Sequence, residues 1–134
     1  MTRYYKTALT FLLVVAVFAA CTKGDLPVDE DGLLITNRAE CAVTNFELLG
    51  SDFQTVRSKA VAIDTTAQTV SVEVLFGTDL KNVYPQFTLS SDCKLDPKIP
   101  GKMDLSDLAN PKVFTVISGN RQIRKPYTLI LKYQ

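Results

Sequence analysis

Residues Thr69-Val-Ser-Val-Glu-Val-Leu-Phe76 alternate apolar and polar side chains, and this period of two constrains the chain more than any other feature. Val70, Val72, Val74 and Phe76 fall on one side of an extended backbone, and Thr69, Ser71 and Glu73 on the other. That is the pattern of a strand with one buried and one wet face. Such a strand needs neighbours in a sheet and a second layer over its apolar side.

The rest of the chain supplies both. Cys41 to Leu49 reads as a strand with Phe46 and Leu48 on one face, and Lys59 to Ile63 as a shorter one. Val83 to Ser90 is a fourth, and its Pro85 predicts an edge or a bulge because proline cannot donate to a ladder. Cys93 to Asp96, Val113 to Ser118 and Tyr127 to Tyr133 follow, the last with Tyr127, Leu129, Leu131 and Tyr133 on a shared face. Asp64-Thr-Thr-Ala-Gln68, Gly77-Thr-Asp79, Ser91-Asp92 and Ser118-Gly-Asn120 separate these runs with residues that bend the backbone or bond back to it. The longer connection Pro100 to Pro111 holds Met103, Leu105 and Leu108, which form either one helical turn or a plug for the end of the core. Outside the N-terminus no segment sustains a 3.6-residue period. The expected fold is all-β, an antiparallel sandwich of about six to seven strands.

The N-terminus follows different rules. Arg3 and Lys6 form a positive head, and Thr7 to Ala20 is uncharged and apolar. That run is shorter than the ~20 residues that span a bilayer comfortably. It reads as a secretory signal. Phe18-Ala-Ala-Cys21 resembles the lipobox of bacterial lipoproteins, with Phe18 where that family usually has Leu. The resemblance implies cleavage before Cys21 and lipidation of its sulfur. The alternative is cleavage after Ala19, which leaves Cys21 a spare thiol. The expected division is a signal over residues 1–20, a lipidated tether over 21–38 and a sandwich body over 39–134. The resemblance implies a body anchored at the outer membrane, with the periplasmic face and the cell surface both open.

Charge and composition exclude several function classes. The chain carries 15 basic and 14 acidic residues, without the basic excess of a nucleic-acid binder. It has no histidine, which removes histidine triads, histidine metal sites and the commonest general base. Cys41 and Cys93 cannot by themselves make a four-thiolate zinc site, and no glycine loop fits a phosphate. No cofactor and no catalytic residues are expected. Asp92 with Asp96, or Asp104 with Asp107, are near in sequence as a glycosidase pair would be, but they sit among turn residues, where Asp bonds its own backbone. The acidic run Asp25 to Asp31 lacks calcium-loop spacing and reads as a solvated tether.

Four features remain as candidate sites. Cys41 and Cys93 form a disulfide in an exported body or stay as two buried thiols. Arg121, Arg124 and Lys125 crowd a hairpin tip, fit to touch an anionic partner or simply to keep a turn soluble. Asp64-Thr65-Thr66 resembles the short O-glycosylation sequon of Bacteroidota, at Thr65, and also reads as an Asx turn. Tyr84 and Tyr133 are aromatic candidates for exposure; Phe53, in the polar stretch SDFQTVR, reads first as a flap over the core edge and second as a sugar stacker.

The order of these pieces carries a wider resemblance. Thr44-Asn-Phe46, Ala62-Ile-Asp64, Thr69 to Val74, Phe76-Gly-Thr-Asp-Leu80, Tyr84-Pro-Gln-Phe87, Leu95-Asp-Pro97, Asp104-Leu-Ser106, Phe114 to Asn120 and Tyr127-Thr-Leu129 run through nearly the whole body. Together they resemble an immunoglobulin-like domain of Bacteroidota outer-membrane lipoproteins. The resemblance implies a non-enzymatic module beside glycan-uptake systems, held to the membrane by its lipid. Its partner would be another envelope protein or a glycan. The rival expectation is a spacer or subunit of an uptake complex without a ligand of its own. With the last strand closing this sequence, the downstream carbohydrate module of longer relatives is not expected.

Overall fold

Among the described residues seven strands form: β1 Val43–Leu49, β2 Ala62–Asp64, β3 Thr69–Val74, β4 Tyr84–Leu89, β5 Lys94–Asp96, β6 Lys112–Ile117 and β7 Arg124–Tyr133. A computed structural model describes residues 26–134, so the leader and Cys21 lie outside the described residues. Among the described residues there is no helix. β1 and β4 make a two-stranded sheet, and the other five strands make a second sheet in the order β2-β3-β7-β6-β5. The fold is an all-β sandwich.

Pairing is antiparallel except between β3 and β7, which run parallel with Val70 opposite Leu129 and Val72 opposite Leu131. This departs from the uniformly antiparallel expectation. Period two fixes which side chains are buried but is blind to strand direction. β4 lies in a two-stranded sheet, where every strand is an edge, as Pro85 required. The bulge falls on its partner, between Val43 and Asn45.

The core is the set of inward rows. Val70, Val72 and Val74 of β3 face Phe46 and Leu48 of β1, Phe114 and Val116 of β6, and Tyr127 and Leu129 of β7, all in one buried cluster. Aromatic rings bridge the layers. Phe46 meets Phe87 edge-on at 4.8 Å, and Phe87 meets Phe114 at 5.0 Å. Each such pair contributes ~0.5–1.5 kcal/mol beyond area burial. The connection after Pro100 acts as a plug: Met103 bridges to Val83, Leu105 N–H donates to the Leu80 carbonyl at 2.7 Å, and Leu105 is buried.

Two expectations shift. Phe76 is 85% exposed because β3 ends at Val74. The Thr78 hydroxyl and N–H both bond the Leu75 carbonyl, and Gly77 takes a φ of +84°, so the chain turns before Phe76 can continue the row. The strand expected over Lys59 to Ile63 forms instead as the three residues of β2.

Residues 35–134 form one unit by their internal contacts. In it Thr36 N–H bonds the Gly119 carbonyl, and Asn120 N–H bonds the Arg38 carbonyl, so the chain is paired to the β6–β7 turn before β1 starts. The segment before it contains its own tight loop. Val28 bridges to Leu34, and the Asp29 carboxylate accepts from the N–H groups of Asp31 and Leu33 at 2.9 and 3.0 Å. The acidic run thus includes a carboxylate that organises its own turn.

Candidate functional site

The outward row of the two-stranded sheet is built from alternate residues of β1 and β4. Asn45, Glu47 and Leu49 stand opposite Thr88, Gln86 and Tyr84. Their inward neighbours Phe46 and Leu48 are in the core, so strand geometry alone turns this row outward.

The segment after β1 completes the face. Gly50 N–H bonds the Gln54 carbonyl, Phe53 N–H bonds the Gly50 carbonyl, and the Asp52 carboxylate accepts from Gln54 N–H. This tight turn puts Phe53 in the left-handed region at φ 60°. A bulky side chain there is strained, which is an expense of ~1 kcal/mol or more. Phe53 is 61% exposed and stacks on Tyr84 with ring centroids 4.7 Å apart and planes 30° from parallel. It is therefore no flap over the core: it caps a second ring on the surface.

After the turn the chain threads between the two sheets. Thr55 bridges to Leu49, Arg57 bridges to Val74, Val56 N–H bonds the Leu48 carbonyl, and Leu75 N–H bonds the Val56 carbonyl. A charged clip holds this segment. Arg57 donates from Nε and Nη2 to the two Glu47 oxygens, each at 2.8 Å, and the Thr55 hydroxyl donates to Glu47 Oε1 at 2.8 Å. The paired guanidinium holds the Glu47 carboxyl well below its usual range, at about 2, and Glu47 in turn raises Arg57. The pair is a closed, neutral unit.

The face thus has two stacked rings at one end and a row of uncharged hydrogen-bonding groups beside them, with Gln86 and Thr88 exposed. Stacked rings offer apolar planes; amide and hydroxyl groups both donate and accept. Among the described residues, a small recess between Leu105, Leu108, Pro111, Leu129 and Leu131 has room for about one water molecule, and a broader, open depression lies over Asn37, Arg38, Ala39 and Glu40.

The cationic hairpin is organised differently from a free patch. Arg121 Nη1 donates to the carbonyls of Asp92, Ser118 and Gly119 at 3.1, 2.9 and 3.3 Å. Arg124 pairs with Asp96 at 2.9 Å, and Lys125 is half-buried beside Val116 of β6. Arg121 is thus engaged by main-chain carbonyls, whereas the Arg124–Asp96 pair lies at the surface with both side chains more than half exposed.

The carboxylates near in sequence are likewise committed. Asp92 pairs with Arg38 at 3.3 Å, Asp104 accepts from the Ser106 N–H and hydroxyl, and Asp107 accepts from Asn110. Hydrogen bonds from Ser106 lower the Asp104 carboxyl; those from Ser58 and Lys59 lower Glu73, and that from Asn82 lowers Asp79. Of the carboxylates near in sequence, Asp104 is thereby held ionised, the opposite of what a proton donor to a glycosidic oxygen needs. Among the described residues no cluster of three or more potential metal ligands occurs.

Thr65 is exposed at the β2–β3 turn, where Asp64 accepts from the Thr66 and Ala67 N–H groups at 2.9 Å. Cys41 and Cys93 are thiols in adjoining positions, Cys41 donating to the Val116 carbonyl at 3.1 Å and Cys93 to the Glu40 carbonyl at 3.0 Å. Tyr133 is half-exposed, its hydroxyl bonded to the Thr78 carbonyl. The Phe53–Tyr84 stack and the Glu47–Arg57 clip were not foreseen as pairs, since each joins residues across a turn or between strands.

Comparison with known proteins places this geometry. A family model described as "SGBP, N-terminal" matches residues 50–130, from the aromatic turn through most of β7. Among solved structures, a Bacteroides thetaiotaomicron protein provisionally described as a glycoside hydrolase aligns with a TM-score of 0.59 at 23% identity, over 74% of this chain and 26% of its own. A Bacteroides eggerthii protein from a family of unknown function aligns with a TM-score of 0.52 at 17% identity, over 71% of this chain and 22% of its own. Both likenesses are of fold, and this chain spans about a quarter of each neighbour's length. No curated protein matches the sequence.

Proposed function

The chain belongs to the SGBP N-terminal family, and from that premise we propose that it is a non-catalytic accessory module of an envelope glycan-uptake system. In this reading it is an immunoglobulin-like lipoprotein, held at the outer membrane by lipid on Cys21. It works by contact: the Phe53–Tyr84 stack takes the apolar face of a neutral sugar ring, and Gln86 and Thr88 meet the hydroxyls.

One observation carries the contact face. A phenylalanine kept 61% exposed, in a backbone conformation that disfavours it, is hard to explain by stability alone. The neutrality of the Glu47–Arg57 clip favours an uncharged ligand over an anionic one.

The test is affinity electrophoresis of the purified full chain in gels containing neutral polysaccharides. Phe53→Asn suits the turn because Asn tolerates the left-handed region. The wild type is expected to be retarded and the variant to lose about tenfold in affinity, as removal of ~1.4 kcal/mol of ring stacking requires. Equal retardation of the two would refute the face. No retardation in any polysaccharide, with recovery of an envelope protein in a detergent pull-down, would favour the spacer or subunit reading.

A further inference from the structure

Cys41 lies where three segments of the body meet. Its thiol donates to the Val116 carbonyl at 3.1 Å and reaches the Ile123 carbonyl at 3.6 Å, both on the β6–β7 hairpin. On its other side is the turn that ends in Cys93. Ser90 N–H bonds the Ala42 carbonyl at 3.0 Å, Cys93 N–H bonds the Ser90 carbonyl at 3.1 Å, and the Cys93 thiol donates to the Glu40 carbonyl at 3.0 Å. The residues before and after Cys41 are thus both bonded to the turn that carries Cys93. Both cysteines also belong to the core cluster, Cys41 at 5% exposure and Cys93 at its margin.

We propose that Cys41 and Cys93 close to a disulfide in the exported protein, stapling the chain just before β1 to the turn just before β5. The proposal uses the envelope location above only as the source of an oxidant. That oxidant is a disulfide, carried by a thiol–disulfide oxidoreductase or by glutathione. Cys93, the more exposed sulfur, loses its proton and attacks the oxidant's disulfide. A mixed disulfide forms and one thiolate leaves. Cys41 then loses its proton and attacks the Cys93 sulfur, expelling the second thiolate. Two electrons pass to the oxidant, whose two sulfurs take up the two protons, and one S–S bond is gained as another is lost. Burial raises both thiols, so exchange is slow and the bond, once made, resists reduction.

The bond would have a mechanical consequence. Residues Thr36 to Cys41 lead into β1, an edge strand paired only with β4 in its sheet. Tension along that lead-in would peel β1 from β4. A bond at Cys41 passes the load to Cys93 before it reaches β1, and closes a loop of roughly fifty residues in the unfolded chain.

The experiment is a peptide map of the full chain, isolated from the exporting cell without reductant and alkylated at once. The expected result is one species joining the peptides of Cys41 and Cys93, ~2 Da lighter than their sum and split by dithiothreitol. Alkylated Cys41 and Cys93 would overturn the proposal. In a second arm, reduced folded protein is incubated with glutathione disulfide. Closure there but not in the cell traces the failure to the compartment; no closure in either traces it to the geometry. The urea midpoint of the closed protein should exceed those of its reduced form and of the Cys41→Ser, Cys93→Ser double variant. Equal midpoints for closed and reduced protein would also overturn the staple.

Discussion

Replacing Glu47 by Gln keeps the size of the side chain and removes the charge that binds Arg57. The fall of the Glu47 carboxyl from its ordinary 4.5 to about 2 sets a ceiling of about 3 kcal/mol on the interaction, at ~1.36 kcal/mol per decade. Both side chains retain about a quarter of their exposure, 29% for Glu47 and 26% for Arg57, so solvent screens part of it. A bidentate pair with a third donor from Thr55 stands above an ordinary surface pair. The expected loss for Glu47→Gln at neutral pH is ~1–2 kcal/mol.

The pH dependence gives the sharper test. The folded-state pKa is depressed, so the stabilisation is full above the unfolded value near 4.5 and fades as pH falls toward about 2. Urea unfolding of wild type and Glu47→Gln should show a gap that is constant from pH 7 to pH 5 and closes between pH 4.5 and about 2. Taking the difference cancels the other lowered carboxylates, Glu73, Asp79 and Asp104, which titrate in both proteins. A double-mutant cycle with Arg57→Met isolates the coupling. A gap unchanged at pH 2, or a coupling within ~0.3 kcal/mol of zero, refutes the clip. Because the same pair holds the segment that presents Phe53, Glu47→Gln should also weaken polysaccharide retardation at neutral pH.

Three further outcomes follow from the packing and the leader. Tyr127 is 1% exposed and its hydroxyl has no hydrogen-bond partner among the described residues, so Tyr127→Phe should be neutral or stabilising by up to ~1 kcal/mol in thermal melts; a loss above that would reveal a partner for the hydroxyl. A Cβ on Gly119 would lie 2.5 Å from Thr36 Oγ1 and 2.9 Å from Asp92 Cβ, so Gly119→Ala should cost ~1–3 kcal/mol, with partial recovery on adding Thr36→Ala; an unchanged urea midpoint would contradict the close approach. Wild-type protein should take up radiolabelled palmitate in the native host and Cys21→Ala should not; an unlabelled wild type would end the lipid-anchor reading.

How much of this was legible in the sequence depends on whether the signal was local. The buried rows of β3 and β7 repeat every second residue, as does β1 past its bulge, and turn residues mark their ends, so strand positions could be read within single segments. The end of β3 could not: Leu75 and Phe76 continue the apolar pattern, and only the turn closed by Thr78 lifts Phe76 into solvent. Direction was hidden for the same reason. A strand's face pattern reads alike in parallel and antiparallel pairs, so the β3–β7 pairing emerges only from the path of the whole chain.

The site was less legible because its groups are completed from afar. Phe53 stood out as an aromatic in a polar stretch, but the ring it stacks on belongs to β4, and the register of Leu49 with Tyr84 is what brings the two together. The cationic tip carries the opposite lesson. Arg121, Arg124 and Lys125 form a visible cluster, yet Arg121 is engaged by backbone carbonyls, acceptors every residue has and no composition reveals. A charge run tells where cations are, and only the fold tells which remain to be shared. The same reasoning separates the two faces as binding surfaces. At the hairpin, an incoming anion must compete with bonds already made to Asp96 and to main-chain oxygens. At the proposed Phe53–Tyr84 face, Glu47 and Arg57 cancel each other's charge and the exposed Phe53 ring needs to break no hydrogen bond to receive a ligand, so the proposal rests on the smaller sequence signal.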